Sequence, residues 1–231
     1  MKKVVFFCLI FGAINTYSST NKVSKSEHYF GFSMGNNLAY GRLKSDLFDY
    51  KVTLLPRLHA GFFYQTHPVL RFSFKLGAQY TAKGMHVKDD RVDYKLKIDY
   101  INVFTLATFN LLSSKRKIDP YVALGLYFGA AISGNLRLVS TTTGEVYGPL
   151  ELTRERAAPT DMGVKIGVGV NYRITNTKSR SKRDYKVQLQ VLQANSFYDS
   201  YGLNEANNNP IDGKRKLKAI ESKVTFLIPI R

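Results

Sequence analysis

VLRFSFKLGAQYTAK, residues 69–83, separates into two sets when every second residue is read. Leu70, Phe72, Phe74, Leu76, Ala78, Tyr80 and Ala82 form one set. Arg71, Ser73, Lys75, Gly77, Gln79, Thr81 and Lys83 form the other. Side chains alternate between faces along an extended strand, whereas a helix would mix the two sets. The stretch predicts a long strand with one apolar face and one basic, small or amide face, as in a barrel wall.

The same period recurs along the chain. It runs through Tyr29–Ala39, Val52–Gln65, Asp99–Leu112, Pro120–Ser133, Asp161–Ile174, Tyr185–Ala194 and Leu217–Ile230. Pro56 cannot donate to a ladder and predicts a bulge or weak pairing. Phe104 and Leu106 break the alternation of the fourth strand. Thr66-His67-Pro68 is expected to be a tight connection. With the opening stretch this makes eight strands. Their connections alternate long and short, with long ones at Ala39–Lys51, Gly84–Lys97, Ser140–Thr160 and Ser196–Lys216. Transmembrane barrels pair short periplasmic turns with longer external loops. The expected fold is an all-β, eight-stranded antiparallel up-and-down transmembrane β-barrel.

Alternation alone does not separate a membrane barrel from a soluble one, because the pattern inverts. Three features favour the membrane. The polar set is rich in glycine and serine (Gly31, Gly35, Gly77, Gly125, Gly129, Gly163, Gly167, Gly169), which suits a narrow interior. The apolar set carries Tyr64, Phe72, Tyr80, Phe109 and Tyr172 near strand ends, as an interfacial girdle would. Residues 1–19 read as a secretory signal, leaving 20–231 as the barrel domain. Lys2 and Lys3 form its charged region and Val4–Ile14 its apolar region, too short to span a bilayer as a helix. Thr16 and Ser18, or Ser18 and Thr20, are the small pairs before the cut. Cys8 lies inside this segment, so the mature chain would hold no thiol. The expected location is the outer membrane.

Lysine and arginine outnumber acids 34 to 17, for a net charge of +17. A nucleic-acid site needs such charge gathered on one face. Here it is dispersed, with dense spots only at Lys115–Lys117 and Lys178–Arg183, so nucleic acid is not an expected partner. Those two turns would meet periplasm, where lipid headgroups or an acidic protein are conceivable contacts. Outer-membrane lipid, a periplasmic or surface protein partner and a monomeric state are the expectations.

No catalytic or cofactor motif stands out. His28, His59, His67 and His86 lack metal-pair spacing. Gly163, Gly167 and Gly169 lie within a strand and do not form a dinucleotide fingerprint. Asp89, Asp90 and Asp93 lack the order of a calcium loop. His59, without a convergent serine and acid, reads as a packed lumen residue. The lumen is the informative region. Arg57, Arg71, Lys75, Lys83, Lys165, Arg173, Lys186 and Lys223 fall on the inward set, with Asp161 and Glu221 as their expected acidic partners. Two readings stay open: a plugged barrel with a structural or interaction role, and a narrow anion-preferring pore. A lipid-modifying enzyme is a third.

The blocks FGFSMGNNL, LHAGFFYQTHPVLRFSFKLGAQYTAKG, DYINV, PYVALGLYFGAAISG and DMGVKIGVGVNYRI, in that order, resemble the PorT-like outer-membrane β-barrel family of Bacteroidota. GAQYTAKG, PYVALGLYFG and the Asp-x-Gly at Asp161 are the most telling parts. Asn102 and Phe104 depart from the acid and proline that the family often carries there. The resemblance implies an eight-stranded outer-membrane barrel, with no catalytic residues to carry over.

Overall fold

The computed structural model describes residues 27–43, 51–69, 71–88, 92–112, 116–151, 160–175, 184–197 and 215–230. Residues 1–19, Asp89, Asp90 and the basic turn Lys178–Arg183 lie outside them. Ten strands form one antiparallel sheet: β1 (Glu27–Leu43), β2 (Lys51–Thr53), β3 (Leu55–Val69), β4 (Phe72–Lys88), β5 (Val92–Asn110), β6 (Ile118–Ser140), β7 (Val146–Glu151), β8 (Thr160–Thr175), β9 (Asp184–Ser196) and β10 (Arg215–Ile230). Eight of them close a barrel, with β1 pairing both β10 and β3, and β4 pairing β5. Closure leaves the wall without a free edge. The short β2 and β7 extend it, β2 on β4 and β7 on β6.

The two sets of the opening stretch lie on opposite faces of β4. Ser73, Lys75, Gln79, Thr81 and Lys83 are buried, while Phe72 and Leu76 are exposed. The same division holds around the ring: Leu58 is 73% exposed, Leu124 60% and Leu189 58%. A continuous apolar outer belt of this kind is a lipid-facing surface, not a solvated one.

Three expectations are corrected. The strand boundary falls later than expected: β3 continues through Thr66-His67-Pro68 to Val69, and Arg71 stands exposed in the turn before β4. Gly84–Lys97 is not a loop but the outer part of a β4–β5 hairpin that pairs as far as Lys88 and Asp93. Ser140–Thr160 includes β7, which folds back on β6. Strands β4, β5 and β6 thus rise beyond the wall as a small external sheet. The period of two persists there, but dense charge disguises it. Near Pro56 the pairing to β4 slips by one residue between Thr53 and His59. A residue without an N–H sits in that gap.

Phe104 and Leu106 break the sequence pattern because the lumen has an apolar core of its own. Both are buried, in a cluster with Phe63, Tyr121, Tyr127 and Leu192. Glycine makes room for the large rings. A Cβ on Gly169 would sit 2.4 Å from the Tyr121 ring, and one on Gly31 2.5 Å from the Phe63 ring. An eight-stranded interior is just wide enough to be filled in this way.

Candidate functional site: the charged lumen

Strand parity delivers alternate side chains from every wall strand into one narrow space. β4 supplies Lys75, Gln79 and Lys83; β8 supplies Asp161 and Lys165; β9 supplies Lys186 and Gln188; β10 supplies Glu221 and Lys223. All are buried. A buried charge is costly unless it is paired and hydrogen-bonded. The lumen meets that requirement in three ways.

Towards the external end, Lys83 forms an ion pair with Asp161 and donates to the Tyr127 hydroxyl at 2.9 Å. Asp161 also accepts from Ser196 Oγ at 2.7 Å and from Tyr127 at 3.3 Å. The Lys83 ammonium lies 4.4 Å from the Tyr127 ring centroid. A Cβ on Gly163 would come within 2.7 Å of the Tyr127 hydroxyl and 2.0 Å of the Asn195 carbonyl. The three most telling stretches of the family resemblance therefore meet at one point. Lys83 comes from GAQYTAKG, Tyr127 from PYVALGLYFG, and Asp161 with Gly163 from the Asp-x-Gly.

At mid-barrel, Lys165 donates to both carboxylate oxygens of Glu221, at 2.7 and 2.9 Å. Lys223 approaches the same carboxylate at 3.8 Å, and Gln79 donates to it at 3.2 Å. Lys165 and Lys223 each lie 5.4 Å from the Phe104 ring centroid. His59 is buried nearby, and among the described residues neither of its ring nitrogens has a hydrogen-bond partner. No serine and acid converge on it there; Ser196 and Asp161 meet each other beside Lys83 instead.

Nearer the termini the compensation is neutral. Lys75 donates to Gln188 Oε1 at 2.6 Å and lies 5.1 Å and 5.4 Å from the Phe63 and Tyr121 ring centroids. No carboxylate among the described residues pairs with it. Around it Gln188 also reaches Asn171 and Gln65, and Ser73 bridges Gln65 and Thr108.

The remaining predicted cations sit at the rims. Lys186 pairs with Glu27 at 3.1 Å, beneath Tyr29, and Arg173 with Asp184 at 3.3 Å. Arg57 is half-buried at the external end and meets Asp99 at 3.4 Å. Asp99 belongs to the outward set of β5, and Arg57 reaches it from the external end of β3, beyond the last β3–β4 pair at His59 and Thr81. Arg71, exposed in its turn, forms none of the ion pairs among the described residues. Sequence reasoning named Asp161 and Glu221 and missed Glu27, Asp99 and Asp184. Glu27 and Asp184 were legible: each lies two residues before an inward residue, Tyr29 and Lys186, on the same parity.

These side chains close the passage. Lys83, Thr81, Asn102 and Glu221 have no accessible surface, and Lys75 and Lys165 have 3% and 1%. A continuous file of water would leave the lining side chains accessible.

Residues 17–191 match the family described as outer membrane protein beta-barrel domain. No curated protein sequence matches the chain. Three solved barrels are similar in fold. Neisserial surface protein A is 9% identical, with 86% of this chain and 95% of that one covered and a TM-score of 0.40. The attachment invasion locus protein of Yersinia pestis, solved with the heparin analogue sucrose octasulfate, is 11% identical, with 87% and 99% covered and a TM-score of 0.39. OprG from Pseudomonas aeruginosa is 12% identical, with 88% and 92% covered and a TM-score of 0.36. At these identities and scores the three add nothing to what the family match establishes. The closed sheet, the apolar outer belt and a match over most of the chain agree: this protein belongs to the outer membrane protein β-barrel family.

Proposed function

We propose that the protein serves a structural or interaction role in the outer membrane, and that the external sheet of β4, β5, β6 and β7 is its contact surface. The narrower PorT-like placement is part of the same reading. The observation that carries it is the plugged lumen. A barrel whose central charges are paired and inaccessible offers no standing path for a solute, which leaves the surfaces at its ends. The lumen packing supports this role over an anion-preferring pore, because most of the cations that would draw anions already hold carboxylates.

Conductance across a planar bilayer tests the sealed lumen. Refolded protein, shown to be inserted, is expected to stay silent under a salt gradient. Steady anion-preferring openings that weaken in Lys75→Glu would overturn the reading in favour of the pore. A second arm tests the surface. A chain with residues 86–95 replaced by a tight turn should still insert but fail to restore a strain lacking the protein. Full restoration would rule out this part of the sheet as the contact surface.

A further inference from the structure

Counting along adjacent strands places the edge of the lipid belt. On β5 the outward residues run from Phe109 through Val103 and Ile101 to Asp99; on β6 they run from Val122 to Ile132; on β4 from Phe72 to Ala82. Each run is about ten residues, which at about 3.4 Å per residue and a tilt of about 45° rises about 24 Å. A barrel's apolar band is about 25 Å tall. Beyond these runs cations enter the outward face, directly on β5 but only after Gly84 on β4 and after Ser133 and Asn135 on β6.

Lys97 and Lys95 follow Asp99 on β5, His86 and Lys88 follow Ala82 on β4, and Arg137 follows on β6. Cross-strand pairing sets His86 opposite Lys95, and Lys95 opposite Arg137. Lys88 and Arg137 are exposed, and His86, Lys95 and Lys97 are half-exposed. Like charges directly opposite in a ladder destabilise it. The acids at hand relieve this row only in part. Asp93 is engaged by His86 Nε2 at 2.8 Å, and Asp99 by Arg57 and by Ser133 Oγ at 2.7 Å. Lys95, Lys97 and Arg137 form none of the ion pairs seen among the described side chains; Asp99 attracts Lys97, while Arg57, Lys95 and Arg137 repel it.

We infer that Lys95, Lys97 and Arg137 form a cationic rim on the outer wall, just beyond the apolar belt, that binds the phosphate groups of outer-leaflet lipid. The position selects the partner: the cations continue the lipid-facing wall and stand at headgroup height. An anion bridging the row would offset the repulsion between opposed side chains. The inference rests on insertion in the membrane and is independent of any protein partner for the external sheet.

The test uses the refolded full chain in phosphatidylcholine bicelles. The probe is a fluorescent acylated disaccharide lipid carrying two phosphates, compared with the same lipid after removal of both. The phosphorylated probe is expected to bind at least tenfold tighter, and less tightly as salt rises. Lys95→Gln/Lys97→Gln/Arg137→Gln should remove that advantage, while Arg116→Gln/Lys117→Gln at the opposite end should keep it. Heat-modifiable migration on gels reports folding, and Arg137→Gln alone, at an exposed position, gives the same comparison should the triple variant not fold. Equal binding of the two probes, or a folded rim variant that binds as the unaltered protein does, overturns the proposal. Displacement of the lipid by inorganic polyphosphate at equal phosphate concentration would assign the rim to soluble polyanions and overturn the lipid assignment.

Discussion

Two lysines of the same lumen are buried in opposite ways. Lys165 sits at mid-barrel with both oxygens of Glu221 within 2.9 Å. Lys75, nearer the termini, has an amide oxygen and two aromatic faces. The difference teaches that charge inside a narrow barrel is held by whatever dipoles the wall delivers. A carboxylate makes the pair interdependent, so that losing one member strands the other. Amides and rings hold a cation more loosely and leave little behind when it is removed.

The largest effect should come from breaking the mid-barrel pair. Glu221→Gln leaves Lys165 and Lys223 without their shared carboxylate, and breaking a buried pair costs about 3–5 kcal/mol. Urea unfolding in lipid vesicles should show that loss, and an unchanged midpoint would mean the pair contributes nothing. At the external end, Lys83→Met strands Asp161, at the lower part of the same range because Tyr127 and Ser196 still donate to it. The double variant Lys83→Met/Asp161→Leu should recover most of that loss; additive losses would deny the coupling.

Gly163→Ala sharpens the contrast from the backbone side. Its methyl would press on the Asn195 carbonyl and the Tyr127 hydroxyl, a cost of about 1–3 kcal/mol for overpacking. Vesicle unfolding measures it, and an unperturbed variant would show that the strands can part. Lys75→Met should have the smallest effect, within about 1 kcal/mol and neutral or stabilising, since no carboxylate is stranded. A loss comparable to that of Glu221→Gln would erase the distinction between the two regions.

Much of the wall was legible residue by residue. The alternation in Val69–Lys83 named both faces of β4 from Phe72 onwards, and the glycines of the inward set pointed to a filled interior. Legibility failed where one local signal outweighed the period. His86, Lys88, Lys95 and Lys97 alternate with apolar residues, yet their charge density reads as loop, so the external sheet and the rim upon it went unseen. Phe104 and Leu106 read as errors in the pattern because the lumen was expected to be polar throughout.

The sequence by itself determined the period of two, the number of wall strands, the apolar outer face and most cations of the inward set, Arg57 and Arg71 excepted, because each depends on residues adjacent in the chain. Only the tertiary structure decided which acid each cation meets. Lys83 and Asp161 are 78 residues apart and Lys165 and Glu221 are 56 apart. Closure of the sheet brings them together across the lumen, and no local pattern encodes a contact whose two halves arrive from different strands.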